Sequence, residues 1–138
     1  MSLLNIFDIS GSGLSAQSTR LNVTASNISN AQSVSATQEG AYKARNPVFA
    51  AAYNDAFNMH SENTGVRTLG IVESNAEVPK RYEPGNPLAD DDGYVYLSNV
   101  NPIEEMTNMM SASRSYQNNV EVINTSKELL MQTLRLGE

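Results

Sequence analysis

The densest group of possible metal ligands in this chain is Asp90-Asp91-Asp92-Gly93. An EF-hand calcium loop carries an acidic ligand at its first position, glycine at its sixth and glutamate at its twelfth. Placing Gly93 at the sixth position puts Leu88 at the first and Asn99 at the twelfth. Neither residue supplies the required carboxylate, so the cluster predicts an acidic surface turn and not a calcium site.

The other residues that could do chemistry lack partners of the right kind. His60 is the only histidine, it lies in a polar stretch, and the chain has no cysteine, which excludes thiolate metal sites, thiol nucleophiles and disulfides. Gly11-Ser12-Gly13 follows no predicted strand and has no lysine of the P-loop type. Glu104, Glu105 and Glu121 have nothing predicted to enclose them. We therefore expect no catalytic, cofactor-binding or metal-binding residue, no cofactor and no small-molecule substrate, and so not an enzyme.

Composition excludes further classes of function. Charged residues make up 17% of the chain, against a typical value of about 25%, and the net charge is −6 without any basic run, which argues against nucleic acid as a partner. No apolar run approaches the roughly 18 residues of a membrane span, so no membrane insertion is expected. Asp8 interrupts the apolar N-terminal stretch, which also lacks a basic segment, so a cleaved Sec signal is not expected. Two interpretations remain: a cytoplasmic protein, or export by a route that removes no signal.

The strongest secondary-structure signal is a helix from Pro102 to Leu136. Its seam follows the alternating steps of three and four that are typical of a coiled coil, through Met106, Met109, Ser113, Tyr116, Val120, Ile123, Lys127, Leu130 and Leu134. Asn101-Pro102 suits a helix start, and Glu104 and Glu105 suit its first turn. Gly137 predicts its end.

A second helix is predicted from about Leu3 to Ser33. Its first apolar stripe recurs every seventh residue, at Phe7, Leu14, Leu21 and Ile28, and a second stripe comprises Ile9, Ala16 and Val23. The surface between the stripes is Ser, Thr, Asn and Gln, with only two charged residues in the segment. A neutral surface with two stripes favours burial against several neighbours, whereas the alternative is a disordered polar terminus.

The C-terminal helix also has a second stripe, at Val122, Leu129 and Leu136. It lies roughly 135° around the helix from the main seam, so one partner helix cannot cover both. Two arrangements remain open: an ordinary two-helix hairpin, or a bundle in which these residues pack between subunits.

The middle of the chain differs from both ends in its glycine and proline content. Glycine and proline recur from about Ala36 to Val100, and short β-like runs lie between them at Val48-Phe49, Val66 to Val72 and Tyr94 to Leu97. The sequence therefore predicts an α+β protein. Its terminal helical domain comprises residues 1–35 and 102–138, and a β-rich insert comprises residues 36–101, with a polar mobile loop at 54–64.

Several motifs resemble one family. The Asn-rich run Ser26 to Ala31 resembles the signature shared by flagellar rod and hook axial proteins, and Leu3 to Leu14 resembles the N-terminus of the proximal-rod C subgroup. Tyr82 to Asp90 with Gly93-Tyr94-Val95, the run Met110 to Gln117 and the run Thr133 to Gly137 resemble the proximal-rod C subgroup of that family. The resemblance covers nearly the whole chain and is weakest from Pro47 to Asn75.

The resemblance implies a structural subunit of the flagellar proximal rod. Such a subunit would leave the cell unfolded through the flagellar type III export apparatus. It would then assemble in the periplasm, within the basal body, with other copies of itself and with other rod proteins, through its terminal helices. The competing hypothesis is a soluble helical-hairpin binding module, such as an export adaptor or chaperone.

Overall fold

The computed structural model describes residues 3–52 and 65–136 and gives an α+β fold. The predicted loop at 54–64, His60 and Gly137 lie outside these residues. In chain order the elements are α1 (Leu3–Asn30), β1 (Val34–Ser35), β2 (Arg45–Ala52), β3 (Gly65–Glu73), β4 (Lys80–Tyr82), β5 (Tyr94–Leu97) and α2 (Pro102–Leu136).

Both predicted helices form. The side chain of Asn101 caps α2, since its Oδ1 accepts the backbone N–H of Ile103 at 3.1 Å, and Pro102 occupies the first helical position. Helix α1 runs without a break through Gly11 and Gly13, although each glycine costs about 1 kcal/mol in a helix. No helix within residues 3–52 and 65–136 is long and apolar enough to cross a membrane.

The strands form two separate sheets. Strands β1, β5 and β4 make an antiparallel sheet in that order, and β2 pairs with β3 in a hairpin. The three predicted strands correspond to β2, β3 and β5, whereas β1 and β4 carry no sequence pattern. The acidic turn before β5 is also as predicted, and it uses Gly93 at a φ of 81°, a conformation that glycine adopts without strain.

The core consists of small side chains. Among the described residues, the largest that are fully buried are Val95 in the insert and Asn27 in α1. Other buried apolar residues are Ala16, Val23, Ala41, Val78, Val100 and Ala112. The large aliphatic side chains are therefore partly or wholly exposed in the single chain.

Helix α1 lies between α2 and the β2–β3 hairpin. Of the described elements, α2 packs against α1 alone. Most of the circumference of α2 therefore has no neighbour among the described elements. The division into a 1–35 plus 102–138 domain and a 36–101 domain stays a prediction; β1, at the end of the first range, pairs with β5 of the second.

Candidate assembly interface

The two helices meet through small and polar side chains. On α2 the buried residues are Glu105, Ala112 and Ser126, which share one heptad position. Half-buried Asn119 continues this row and lies against Gly13 of α1, where an added Cβ would come 2.8 Å from its Nδ2. The row lets the two backbones approach closely.

Cross-helix contacts fix an antiparallel register. The Nδ2 of Asn27 lies 3.0 Å from the Oε2 of Glu105, and Gly13 faces Asn119 further along. In this register the first residue of α1 lies level with about residue 129 of α2, so α2 continues about two turns past α1.

The predicted seam does not coincide with this contact. Its members Met106, Tyr116 and Leu134 are exposed, as is the seam residue Lys127, while Ser113, Met109, Val120, Ile123 and Leu130 are half-buried. One row of the predicted seam, Met109, Ile123 and Leu130, lies at the border of the observed contact. The centre of the contact is not the other row, Met106, Ser113, Val120 and Lys127. It is formed by the residues one position earlier, Glu105, Ala112, Asn119 and Ser126. The main seam is therefore not the centre of the contact between α1 and α2 in the single chain, and its role in packing between subunits stays a prediction. Periodicity locates apolar residues, whereas the closest approach occurs where side chains are small.

On α1 the predicted stripe of Phe7, Leu14, Leu21 and Ile28 is half-buried, and Ala16 and Val23 of the second stripe are buried. The outward face of α1 consists almost entirely of small uncharged residues, with one acid at its start: Asp8, Gly11, Ser15, Ser18, Asn22, Ala25 and Ser29. No large apolar side chain of α1 from residue 5 onward is fully exposed.

The outward face of α2 is different. Ile103, Met106 and Met110 are spaced as one stripe on the side away from α1, and Ile103 is 77% exposed. The predicted second stripe is exposed at Val122 and Leu129, while the side chain of Leu136 is not described. Met131 and Leu134 add further exposed apolar surface. Scattered apolar residues are normal on a surface, but rows of them along one helix mark an interaction site.

A buried polar junction joins both helices to the insert at Asn27, which is 0% exposed. Its Nδ2 donates to the backbone oxygen of Arg45 at 2.8 Å and to Glu105 Oε2 at 3.0 Å. Its Oδ1 accepts the backbone N–H of Arg45 at 2.9 Å and the hydroxyl of Tyr42 at 3.0 Å. All four hydrogen-bonding positions of the amide are occupied, so the junction is complete only when α1, α2 and the start of β2 are together.

Comparison with known proteins gives two family-model matches. Residues 7–34 match the model described as Flagella basal body rod protein, and residues 91–136 match Flagellar basal body rod FlgEFG protein C-terminal. Three relatives carry the name Flagellar basal-body rod protein FlgC. The chain is 51% identical to that of Salmonella typhimurium, 52% to that of Yersinia enterocolitica and 38% to that of Buchnera aphidicola subsp. Baizongia pistaciae, in each case over the full length of both proteins.

The chain belongs to the FlgC family of flagellar basal-body rod proteins. The first matched segment contains α1 from Phe7 onward, and the second contains β5 and α2 of the FlgC fold described above. The resemblance inferred from the sequence is therefore confirmed at the level of the family.

A second asparagine extends the junction in this FlgC-family chain. The Oδ1 of Asn99 accepts the backbone N–H of Ala44 at 2.7 Å, and its Nδ2 donates to the backbone oxygen of Ala76 at 2.9 Å. The hydroxyl of Tyr42 also lies 3.1 Å from Ser26 Oγ. Segment 42–45 is thus held from the end of α1 on one side and from Asn99, two residues before the α2 cap, on the other.

Sequence reasoning missed Asn27, Tyr42 and Asn99 of the junction, and it assigned Met106 to the main seam and not to an outward stripe with Ile103 and Met110. Asn27 lies in the Asn-rich run that supported the resemblance, but nothing in the run distinguishes a buried asparagine from an exposed one. The outward stripe has a detectable signal, because its members are three and four residues apart.

Several polar groups of the insert stabilise its turns. Asp90 Oδ1 accepts the backbone N–H groups of Asp92 and Tyr94, at 3.1 and 2.7 Å. A hydrogen bond from Asn86, with Arg81 nearby, lowers the pKa of the Glu83 carboxyl below its ordinary value. Within the described part of the chain, no group of three histidines or acids is arranged to hold a metal ion.

Proposed function

We propose that this chain is a structural subunit of the proximal rod in the flagellar basal body. It leaves the cell unfolded through the flagellar type III export apparatus and polymerises in the periplasm with its own copies and other rod proteins. The observation that carries the proposal is its full-length relation to proteins named as FlgC rod proteins. The adaptor or chaperone alternative has no comparable support.

The geometry supports polymerisation through the helices. Helix α2 presents large apolar side chains away from α1, and α1 presents a face of small uncharged ones. A contact between two different faces is heterologous, and repeated heterologous contacts build an open helical filament. We propose that the exposed apolar side chains of α2, including Val122 and Leu129, pack against the outward face of α1 in a neighbouring subunit. This packing resembles a coiled coil and is not completed within a single chain.

The thin core supports export in an unfolded state. Because the largest fully buried described side chains are a valine and an asparagine, little apolar burial must be lost on unfolding. The chain also has no cysteine, so it forms no disulfide in an oxidising compartment.

The test replaces Leu129, which is exposed in the single chain, in cells that depend on this subunit for motility. We expect Leu129→Lys to leave the purified subunit as stable as the parent, within about 0.5 kcal/mol, and to leave its export unchanged. Its incorporation into isolated basal bodies should fall sharply, because a buried apolar contact between subunits acquires an unpaired charge.

Leu129→Met is the matched control, because it keeps an apolar side chain of similar volume. It should be exported and incorporated like the parent. Normal incorporation of Leu129→Lys would show that the stripe of Val122 and Leu129 is not part of the interface. Absence of the parent chain from basal bodies would refute the rod assignment itself.

A further inference from the structure

The two edges of the β2–β3 hairpin are closed to different extents. The backbone N–H of Ser74 donates to the oxygen of Ala44 at 2.7 Å, so these residues face each other within the ladder. Neighbouring residues in an antiparallel ladder alternate, so Arg45 directs its N–H and C=O out of the hairpin. Those two groups pair with the amide of Asn27, which therefore acts like a residue of an adjoining strand.

By the same alternation, Pro47 is the next residue of β2 whose backbone groups are directed out of the hairpin. Proline has no backbone N–H, and it is typical of strand edges that do not pair further. Asn27 and Pro47 together close this end of the β2 edge. Across the hairpin, Arg45 pairs with Glu73 and Pro47 with Ile71. Glu73 and Ile71 therefore direct their N–H and C=O groups outward from β3.

The corresponding β3 edge is open. At its beginning, the N–H of Val66 donates to Ser12 Oγ of α1 at 3.0 Å, so α1 covers that end. From Leu69 to Glu73, no hydrogen bond outside the ladder reaches the backbone from any described residue. We call residues 69–73 the open edge. It contains no proline or lysine, and the features that oppose further pairing are the charge of Glu73 and a bulge opposite Val48/Phe49 that leaves Leu69 unmatched.

The side chains of the open edge are apolar and exposed on both sides of the hairpin. Leu69 is 57% exposed, and Ile71 and Val72, which point to opposite faces, are 52% exposed. Nearby Arg67 is exposed and has no ion pair among the described residues. An added strand would cover the aliphatic side chains and could neutralise this charge.

We propose that the open edge takes up an extended segment of an adjacent copy of this chain as a third strand, forming a sheet that crosses the subunit boundary. The segment supplies backbone groups to Ile71 and Glu73, aliphatic side chains beside Leu69 and Ile71, and a carboxylate that reaches Arg67. A subunit with a net charge of −6 offers more carboxylates than cations for that position. This inference rests on the proposed function, because the occupant is a neighbour in the rod.

The decisive variant is Ile71→Pro, which removes an outward N–H and leaves the ladder between β2 and β3 intact. The fold already accepts proline at the cross-strand position, Pro47. Ile71→Thr is the control, because it keeps the N–H and a β-branched side chain. Both variants should be exported like the parent, and circular dichroism of the purified proteins should match. We expect incorporation of Ile71→Pro into basal bodies to fall by about tenfold or more, with Ile71→Thr close to the parent.

A second measurement uses the parent chain, so it does not depend on whether a variant folds. Amide hydrogen exchange of residues 69–73 should be much slower in isolated basal bodies than in the purified subunit.

Arg67→Lys should incorporate normally, whereas Arg67→Glu should not. Equal incorporation of the proline and threonine variants, or unchanged exchange on assembly, would overturn the strand pairing while leaving the rod assignment intact. Absence of the parent chain from basal bodies would overturn the rod assignment and the pairing with it.

Discussion

Replacing Asn27 by alanine removes a side chain that is 0% exposed and holds three elements together. Each of its bonds to Tyr42 and to the backbone of Arg45 contributes about 1 kcal/mol, and the bond to the Glu105 carboxylate about 1.5–3 kcal/mol. Alanine recovers up to about 0.7 kcal/mol through its better helix propensity. We therefore expect Asn27→Ala to lower the free energy of unfolding by about 4–6 kcal/mol.

The assay is urea unfolding of the purified chain followed by circular dichroism. Asn22→Ala is the control, because Asn22 is exposed on the same helix and should change stability by no more than the helix-propensity gain of about 0.7 kcal/mol. In a double-mutant cycle, Asn27→Ala combined with Glu105→Ala should cost at least about 1 kcal/mol less than the two single changes added, because each single change strands the other partner. A cost below about 1 kcal/mol for Asn27→Ala would refute our account of the junction.

Three further predictions concern the helices and the turn. Ile123→Asp, at the border of the helix contact, should abolish swimming of cells that depend on this chain, and normal motility would exclude a buried position. Gly11→Ala should stabilise the isolated chain by about 0.5–1 kcal/mol in urea unfolding, since nothing lies within 4 Å of the new Cβ. Gly13→Ala should gain less or destabilise, because its Cβ would come 2.8 Å from an α2 amide; equal gains would contradict the close approach. Asn86→Ala should raise the pKa of Glu83 in an NMR titration, because its hydrogen bond to the carboxylate is the largest cause of the lowered value. The stability from that bond is present above the unfolded pKa and is lost as the pH falls through the folded one, so an unchanged titration would reject this cause.

The helices and most strands were predictable because their signals are local. Asn101-Pro102 places a capping side chain and a residue without an N–H where a helix must begin, and the structure uses both. The run Tyr94 to Leu97 has the composition of a strand and forms β5. Strand β4, by contrast, is Lys80–Tyr82, whose pairing with β5 depends on a partner distant in sequence.

The helix contact and the junction were not predictable for a different reason. Hydrophobic periodicity selects Met106 and Val120, but the residues of α2 that are buried against α1 are Ala112 and its heptad neighbours Glu105 and Ser126. The role of Asn27 depends on the fold bringing the backbone of Arg45 within hydrogen-bonding distance of its side chain. The residues near Asn27 in the sequence give no indication of that contact.

The unequal reach of the helices has a mechanical consequence. Because α2 extends about two turns, or roughly 10 Å, past the start of α1, the two helices of a subunit do not end in the same plane. In the proposed rod, the boundaries between successive subunits are then staggered, as in a lapped joint. A twisting load at such a boundary acts as shear along overlapping helices and does not pull flat faces apart. The length difference between two helices can in this way let a shaft of separate, non-covalently joined subunits carry torque.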